Sequence, residues 1–192
     1  MAVLDLMTTR RTYRRFAQKP VPQAVIDSIA AAVRLSSSAR NAQPIRLLAV
    51  RKPETVRQVN ALVKWAGALP PELGTPKPDE LPTLFIAVLQ DTSLGGEQNT
   101  DAGIALANMT LAAWESGVGS CIMQAINRPA LTELFALPEH LHLHSMVAFS
   151  YPTHKSTVVP LPEGGSVKYY LDENRDYFVP KRPAGELISY FD

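Results

Sequence analysis

The stretch "DAGIALANMTLAAWESGVGSC", Asp101–Cys121, carries more structural information than any other in the chain. Ile104, Leu106, Met109, Leu111 and Trp114 are interspersed with Ala102, Ala105, Ala107, Ala112 and Ala113. A helix wound from these residues is apolar on nearly every side. Such a helix lies at the centre of a fold or is buried between subunits. Asp101 is expected as its N-cap and Gly117 as its stop. Gly117 and Gly119 either let backbone approach a flat ligand or end the helix in a tight turn. The run lacks the Lys-Ser/Thr ending of a phosphate loop, and it is not the glycine-rich dinucleotide fingerprint.

Elements are expected on both sides of this helix. Residues 2–8 read as a short helix. Pro22 opens a second, with Val25, Ile26, Ile29, Ala30 and Val33 on one stripe and an end near Leu35. "IRLLAV" (Ile45–Val50) reads as a buried strand, and "PETVRQVNALVKWAG" (Pro53–Gly67) as a helix. "TLFIAVLQD" (Thr83–Asp91) is the strongest strand signal. "CIMQAI" and "LHSMVAFSY" are further strands, and "PALTELFAL" is a short helix opened by Pro129. The segment after Tyr151 reads as irregular, with a final strand at "ELISYF" (Glu186–Phe191). Strands separated by helices point to an α+β fold, a mixed sheet with helices around it.

The chain has 192 residues, which favours one domain over residues 1–192. Pro70, Pro71, Pro76, Pro78 and Pro82 crowd one surface connection, too short to separate two domains. The formal charge is +1, with none of the basic excess of a nucleic-acid binder. No window is apolar enough for a membrane span, and the N-terminal run is not a signal peptide. One cysteine, Cys121, excludes an intramolecular disulfide and favours a reducing, cytoplasmic setting.

Against that near-neutral background, "RRTYRRF" (Arg10–Phe16) packs four arginines into seven residues. Thr12, Tyr13 and Phe16 favour extended backbone over helix. Arginine forks bind phosphate in pairs of hydrogen bonds, and a threonine hydroxyl adds a donor. A solvated basic face is the alternative. "SSSARNAQP" (Ser36–Pro44) offers hydroxyls and amides between a helix and a strand, either as a ligand loop or as turn chemistry. Cys121 has no catalytic motif around it and reads as a small buried hydrophobe. "HLHLH" (His140, His142, His144) lacks the carboxylate or cysteine that would complete a metal set, and no nucleophile elbow is present.

Taken in order, "RRTYRRF", "SSARNAQPIRLLAV", "DAGIALANMTLAAWESGVGSC", "ELFALPE" and the tail "VPKRP" resemble the FMN-dependent nitroreductase family. The resemblance implies an α+β fold whose central mixed sheet is flanked by helices. It also implies an intertwined homodimer with two FMN sites at its interface, and a tail from about residue 152 to 192 that extends over the partner. By the same resemblance Arg10, Arg11 and Thr12 hold the flavin phosphate, with Lys181 and Arg182 approaching from the tail. Arg14 faces the N1–C2 edge of the ring. Ser37, Ser38, Ala39 and Asn41 come from the partner subunit. Met123, Gln124 and Ala125 lie near the N5 and O4 edge. NADH or NADPH is the implied donor, in a two-step exchange with nitroaromatics, quinones or similar acceptors, and no side chain is named as catalytic.

Three positions depart from the family pattern: Ile45 after Pro44, Ser150 before the "YP" turn, and the pair Gln124-Ala125. In the region 57–82 Asn60 and Lys64 are the residues considered for a further ring contact. A flavin-binding protein with little NAD(P)H oxidase activity, or a flavin-dependent dehalogenase or dehydrogenase, are the alternatives within the same fold.

Overall fold

The computed structural model describes residues 2–95 and 99–191. Helix α1 (Val3–Thr9) leads into an extended arm, and α2 (Gln23–Arg34) starts directly after Pro22 and buries Val25 and Ile29. Next come β1 (Ile45–Val50), α3 (Pro53–Ala61), the single turn α4 (Pro71–Gly74) and β2 (Leu84–Asp91). Helix α5 (Asn99–Glu115) precedes β3 (Gly119–Met123), α6 (Arg128–Leu134) and β4 (Leu141–Ser150). The tail forms β5 (Ser156–Pro160), β6 (Tyr170–Leu171) and β7 (Tyr177–Lys181).

The central sheet has the order β1-β2-β4-β3, each pair antiparallel. A smaller sheet, β5-β7-β6, joins β5 and β7 in parallel and β6 to β7 antiparallel. The arm adds a parallel bridge between Thr12 and Ser120. The mixed pairing is thus spread over the sheet, the arm and the tail.

Strand β2 explains why its sequence shows no polar alternation. All eight of its residues are buried. Phe85, Ala87 and Leu89 face a core with Phe16, Val56, Val59, Trp65, Leu131 and Met146, on the α3 and α6 side. Leu84, Ile86 and Val88 face the opposite core, with Ile29, Leu106, Met109, Val147 and Phe149, on the α2 and α5 side. A strand covered on both faces reads as one apolar run.

Several sequence expectations need correction. Helix α5 starts at Asn99, so Asp101 lies inside its first turn and is not the N-cap. The stop is as expected: Gly117 takes a φ of 71°, its N–H donates to Trp114 O, and Val118 N–H donates to Ala113 O. These two bonds are the Schellman pair that satisfies terminal carbonyls. The helix expected over Pro53–Gly67 ends at Ala61, because the chain turns to pair Val63 with Ile126 and to sink Trp65 into the core. Strand β1 is half-exposed, with only Val50 buried, since it pairs with β2 alone and its other side is open. "ELISYF" forms no strand. Leu187, Ile188, Tyr190 and Phe191 are exposed, because the chain folds no strand of its own beside them.

Candidate functional site

The arm fixes the site. Arg10 N–H closes α1 by donating to Leu6 O at 2.8 Å, and the backbone then extends along β3. Tyr13 N–H donates to Ser120 O at 2.9 Å. This approach requires a glycine at 119, where a Cβ would stand 2.7 Å from the Tyr13 ring. Extended backbone sends alternate side chains to opposite sides. The four arginines are therefore divided, with Arg10, Thr12 and Arg14 on one side and Arg11, Tyr13 and Arg15 on the other.

The two sides are used differently. The Arg11 guanidinium folds back onto the carbonyls of Met7, Thr8 and Arg10, where it caps α1. Arg15 is buried and donates to Arg175 O, and Arg175 in turn pairs with Glu80 at 2.8 Å. On the other side, burial and the neighbouring Arg11 both pull the Arg10 pKa down. Among the described residues no carboxylate lies in ion-pair range of Arg10 or Arg14. Arg14 packs its guanidinium over Tyr169, 4.5 Å from the ring centre, and over Tyr177 at 4.9 Å. Its Nε is buried with no partner among the described residues. Two cations and a hydroxyl on one extended edge, with no carboxylate partner among the described residues, fit an anionic ligand.

The end of β3 adjoins this edge. The β3–β4 ladder stops at Met123, so the N–H groups of Gln124 and Ala125 lie beyond it. Gln124's side chain is committed: its Nε2 donates to Ser145 Oγ, and its Oε1 accepts from Arg128 Nη2. Lys64 N–H donates to Ala125 O at 2.9 Å, so Lys64 stands beside this edge. Asn60 Oδ1 accepts from Trp65 Nε1 at 2.9 Å. Lys181 ends β7, and Arg182 pairs with Glu186 at 3.7 Å. Nothing among the described residues ties these two basic residues to Arg10.

Ser37, Ser38, Ala39 and Asn41 sit elsewhere, in the loop between α2 and β1 at the start of α5. Ala39 N–H donates to Asp101 Oδ1 at 3.0 Å. At the other end of α5, Trp114 stacks on Tyr13 with ring centres 5.1 Å apart. At 1.5 Å per residue, Asp101 and Trp114 stand roughly 20 Å apart along the helix. One chain therefore brings Arg10–Arg14, Cys121 and Met123–Ala125 together and holds the Ser37–Asn41 loop apart from them.

Cys121 is no nucleophile. Burial pushes its thiol up to about 11, only partly opposed by Arg14. The histidines near residue 142 form no metal cluster among the described residues. A cavity of about 710 Å³ between α3, the end of β1 and the start of β2 is rimmed by Arg51, Lys52 and Arg57 and shares no residue with the expected set.

The Nitroreductase family model matches residues 7–151, about three-quarters of the chain. The chain belongs to the nitroreductase family. That match contains the arm, the Ser37–Asn41 loop and the β3 edge, and ends before Lys181 and Arg182. A Bacillus subtilis relative named FMN reductase [NAD(P)H] is 28% identical over 184 residues, covering 84% of this chain and 70% of its own. A Thermus thermophilus relative named NADH dehydrogenase is 24% identical over 194 residues, covering 81% of this chain and 90% of its own. The fold matches a Desulfovibrio desulfuricans chain solved in complex with FMN, with a TM-score of 0.72 at 22% identity, over 100% of this chain and 98% of that one. It also matches a nitroreductase family protein of Clostridium difficile 630, with a TM-score of 0.72 at 19% identity, over 99% and 98% of the two chains.

Within this family frame the structure adds Tyr169 and Tyr177 beside Arg14, and Asp101 beside the Ser37–Asn41 loop. The first two lie some 150 positions from the arm and carry no local motif. Asp101 was visible as an acid opening an apolar helix, a pattern that reads as a cap.

Proposed function

We propose that the protein is an FMN-dependent oxidoreductase acting as a homodimer. It passes electrons from NADH or NADPH to a small-molecule acceptor such as a nitroaromatic or a quinone, in the reducing setting that suits its buried free thiol. The observation that carries this reading is the separation of the expected flavin set into two groups at opposite ends of α5. Two α5 helices packed antiparallel about a two-fold axis would bring the loop of one chain to the arm of the other. The surface for that contact is present. Gly103 and Ala107 are exposed and Ile104 and Leu111 half-buried on α5, with Val3, Leu4 and Met7 exposed on α1. The exposed segment Glu186–Phe191 then extends over the partner, where its apolar side chains find cover.

FMN, when bound, supplies the two-electron chemistry. The chain's residues supply the rest. Arg10 and Thr12 hold the phosphate, with Arg11 closing α1 behind them and Lys181 and Arg182 approaching from the tail. Arg14 sets a fixed cation at the pyrimidine edge of the ring, where negative charge develops on reduction. The N–H groups of Gln124 and Ala125, beyond the β3–β4 ladder, donate to the N5 and O4 edge, with Met123 buried behind them. Ser37, Ser38, Ala39 and Asn41 of the second copy wall the ring from water. No side chain is required to transfer a proton.

The test is steady-state oxidation of NADH and NADPH by the FMN-loaded protein with an added quinone, beside Arg10→Ala. A charge-assisted phosphate contact contributes about 1.5–3 kcal/mol, so the variant should bind FMN about ten- to a hundredfold more weakly. Loaded protein that consumes neither nucleotide would contradict the reductase reading.

A further inference from the structure

We infer that Asp101 is a positioning residue: through Ala39 it fixes the Ser36–Gln43 loop in the shape that walls the flavin site of the second copy. This rests on the flavin reading above. Asp101 is 3% exposed in the most apolar helix of the chain, and its Oδ2 has no partner among the described residues. A buried carboxylate oxygen left unpaired costs stability. Its presence is therefore explained by what Oδ1 does, which is to accept the Ala39 N–H at 3.0 Å.

The loop needs such a hold. Arg40, Asn41 and Gln43 have φ values of 54°, 56° and 51°, and none is glycine. Left-handed backbone at such residues persists only where the surroundings impose it. Helix α5 grips the loop a second time, two turns on, where Asn108 Nδ2 donates to Ser36 Oγ at 2.8 Å. From the other side Arg46 donates to Gln43 O at 2.9 Å while pairing with Asp91 at 3.4 Å. Inside the loop Ser38 Oγ accepts from Gln43 N–H at 2.9 Å. Ser38 is thereby a brace, and the exposed Ser37, Ala39 and Asn41 are what the loop presents outward. The same helix that offers its outer face to a second copy thus shapes the loop that reaches that copy's arginines.

Asp101→Leu removes the acceptor, and Asp101→Asn keeps an acceptor oxygen. Two readouts are compared in the full chain: the rate of tryptic cleavage at the exposed Arg40–Asn41 bond without FMN, and the FMN dissociation constant. Asp101→Leu should be cleaved at least about tenfold faster and bind FMN about tenfold more weakly, with a thermal midpoint no lower than wild type. Asp101→Asn should stay within about threefold on both. A residue that only stabilises the fold would move midpoint and affinity down together. Should the leucine variant not fold, Asn108→Ala, which cuts the second tie, should also speed cleavage. Cleavage of the leucine variant at the wild-type rate, or an asparagine variant as weak as the leucine one, overturns the inference. If wild type takes up no FMN, the flavin reading falls, and the cleavage rates alone decide the clamp.

Discussion

Arg14 is held against the faces of Tyr169 and Tyr177. A cation fixed in this way stabilises negative charge without having to reorganise. Arg14→Ala should therefore retain flavin but shift its reduction potential to more negative values, read by spectroelectrochemical titration. An unchanged potential would remove that role. His154 shares the Tyr177 ring, at 5.0 Å between ring centres, and lies 5.3 Å from that of Tyr13. Burial first, and Arg15 next, lower its pKa to about 4. Its unfolded value is about 6.5. Between those values the unfolded chain takes up a proton that the folded chain refuses. The neutral histidine's contribution is thus intact above about pH 6.5 and is lost as pH falls toward 4. Thermal midpoints from pH 7 to pH 5 should fall less steeply in His154→Phe than in wild type. Parallel slopes would contradict this. Of all this, the concentration of arginines was legible in the sequence. Its division into two sides was not, because alternation says which side a residue takes only once the backbone is known to be extended. Tyr169 and Tyr177 reach Arg14 only through the folding of the tail.

Helix α5 combines three roles along its length. Its inner face buries Ala102, Ala105, Leu106, Met109 and Ala113, its N-terminal turn holds the loop, and its outer face carries Gly103, Ile104, Ala107 and Leu111. Small residues at 103 and 107, one turn apart, allow close approach of a second helix. Ala107→Glu would bury a charge in that contact. Its expected outcome is a shift from dimer to monomer in light scattering, together with loss of bound FMN. A variant that remains dimeric would move the interface elsewhere. The helix itself was readable from its apolar run and its glycine stop. Strand β1 forms over the residues expected but is not buried, and "ELISYF" forms no strand, for one common reason. Both are apolar enough to be strands, and burial of either depends on a neighbour that the chain does not provide for itself. By contrast β2 was unmistakable, because both cores that cover it come from within the chain.

The molecule as a whole is built around a sheet covered on both faces, with the residues expected to bind flavin distributed at opposite ends of one helix. A single copy presents an arm whose Arg10 and Arg14 meet no carboxylate among the described residues, a loop in left-handed backbone, and an exposed apolar tail. A two-fold pair resolves all three together, and on this account cofactor and dimer are one proposition. The most direct measurement is the visible absorption spectrum of the purified protein, with FMN released by heat counted against chains and the mass measured by light scattering. The account predicts oxidised-flavin bands, one FMN per chain and a dimer. A colourless protein that takes up no added FMN, or a monomer that carries FMN at full occupancy, would contradict it.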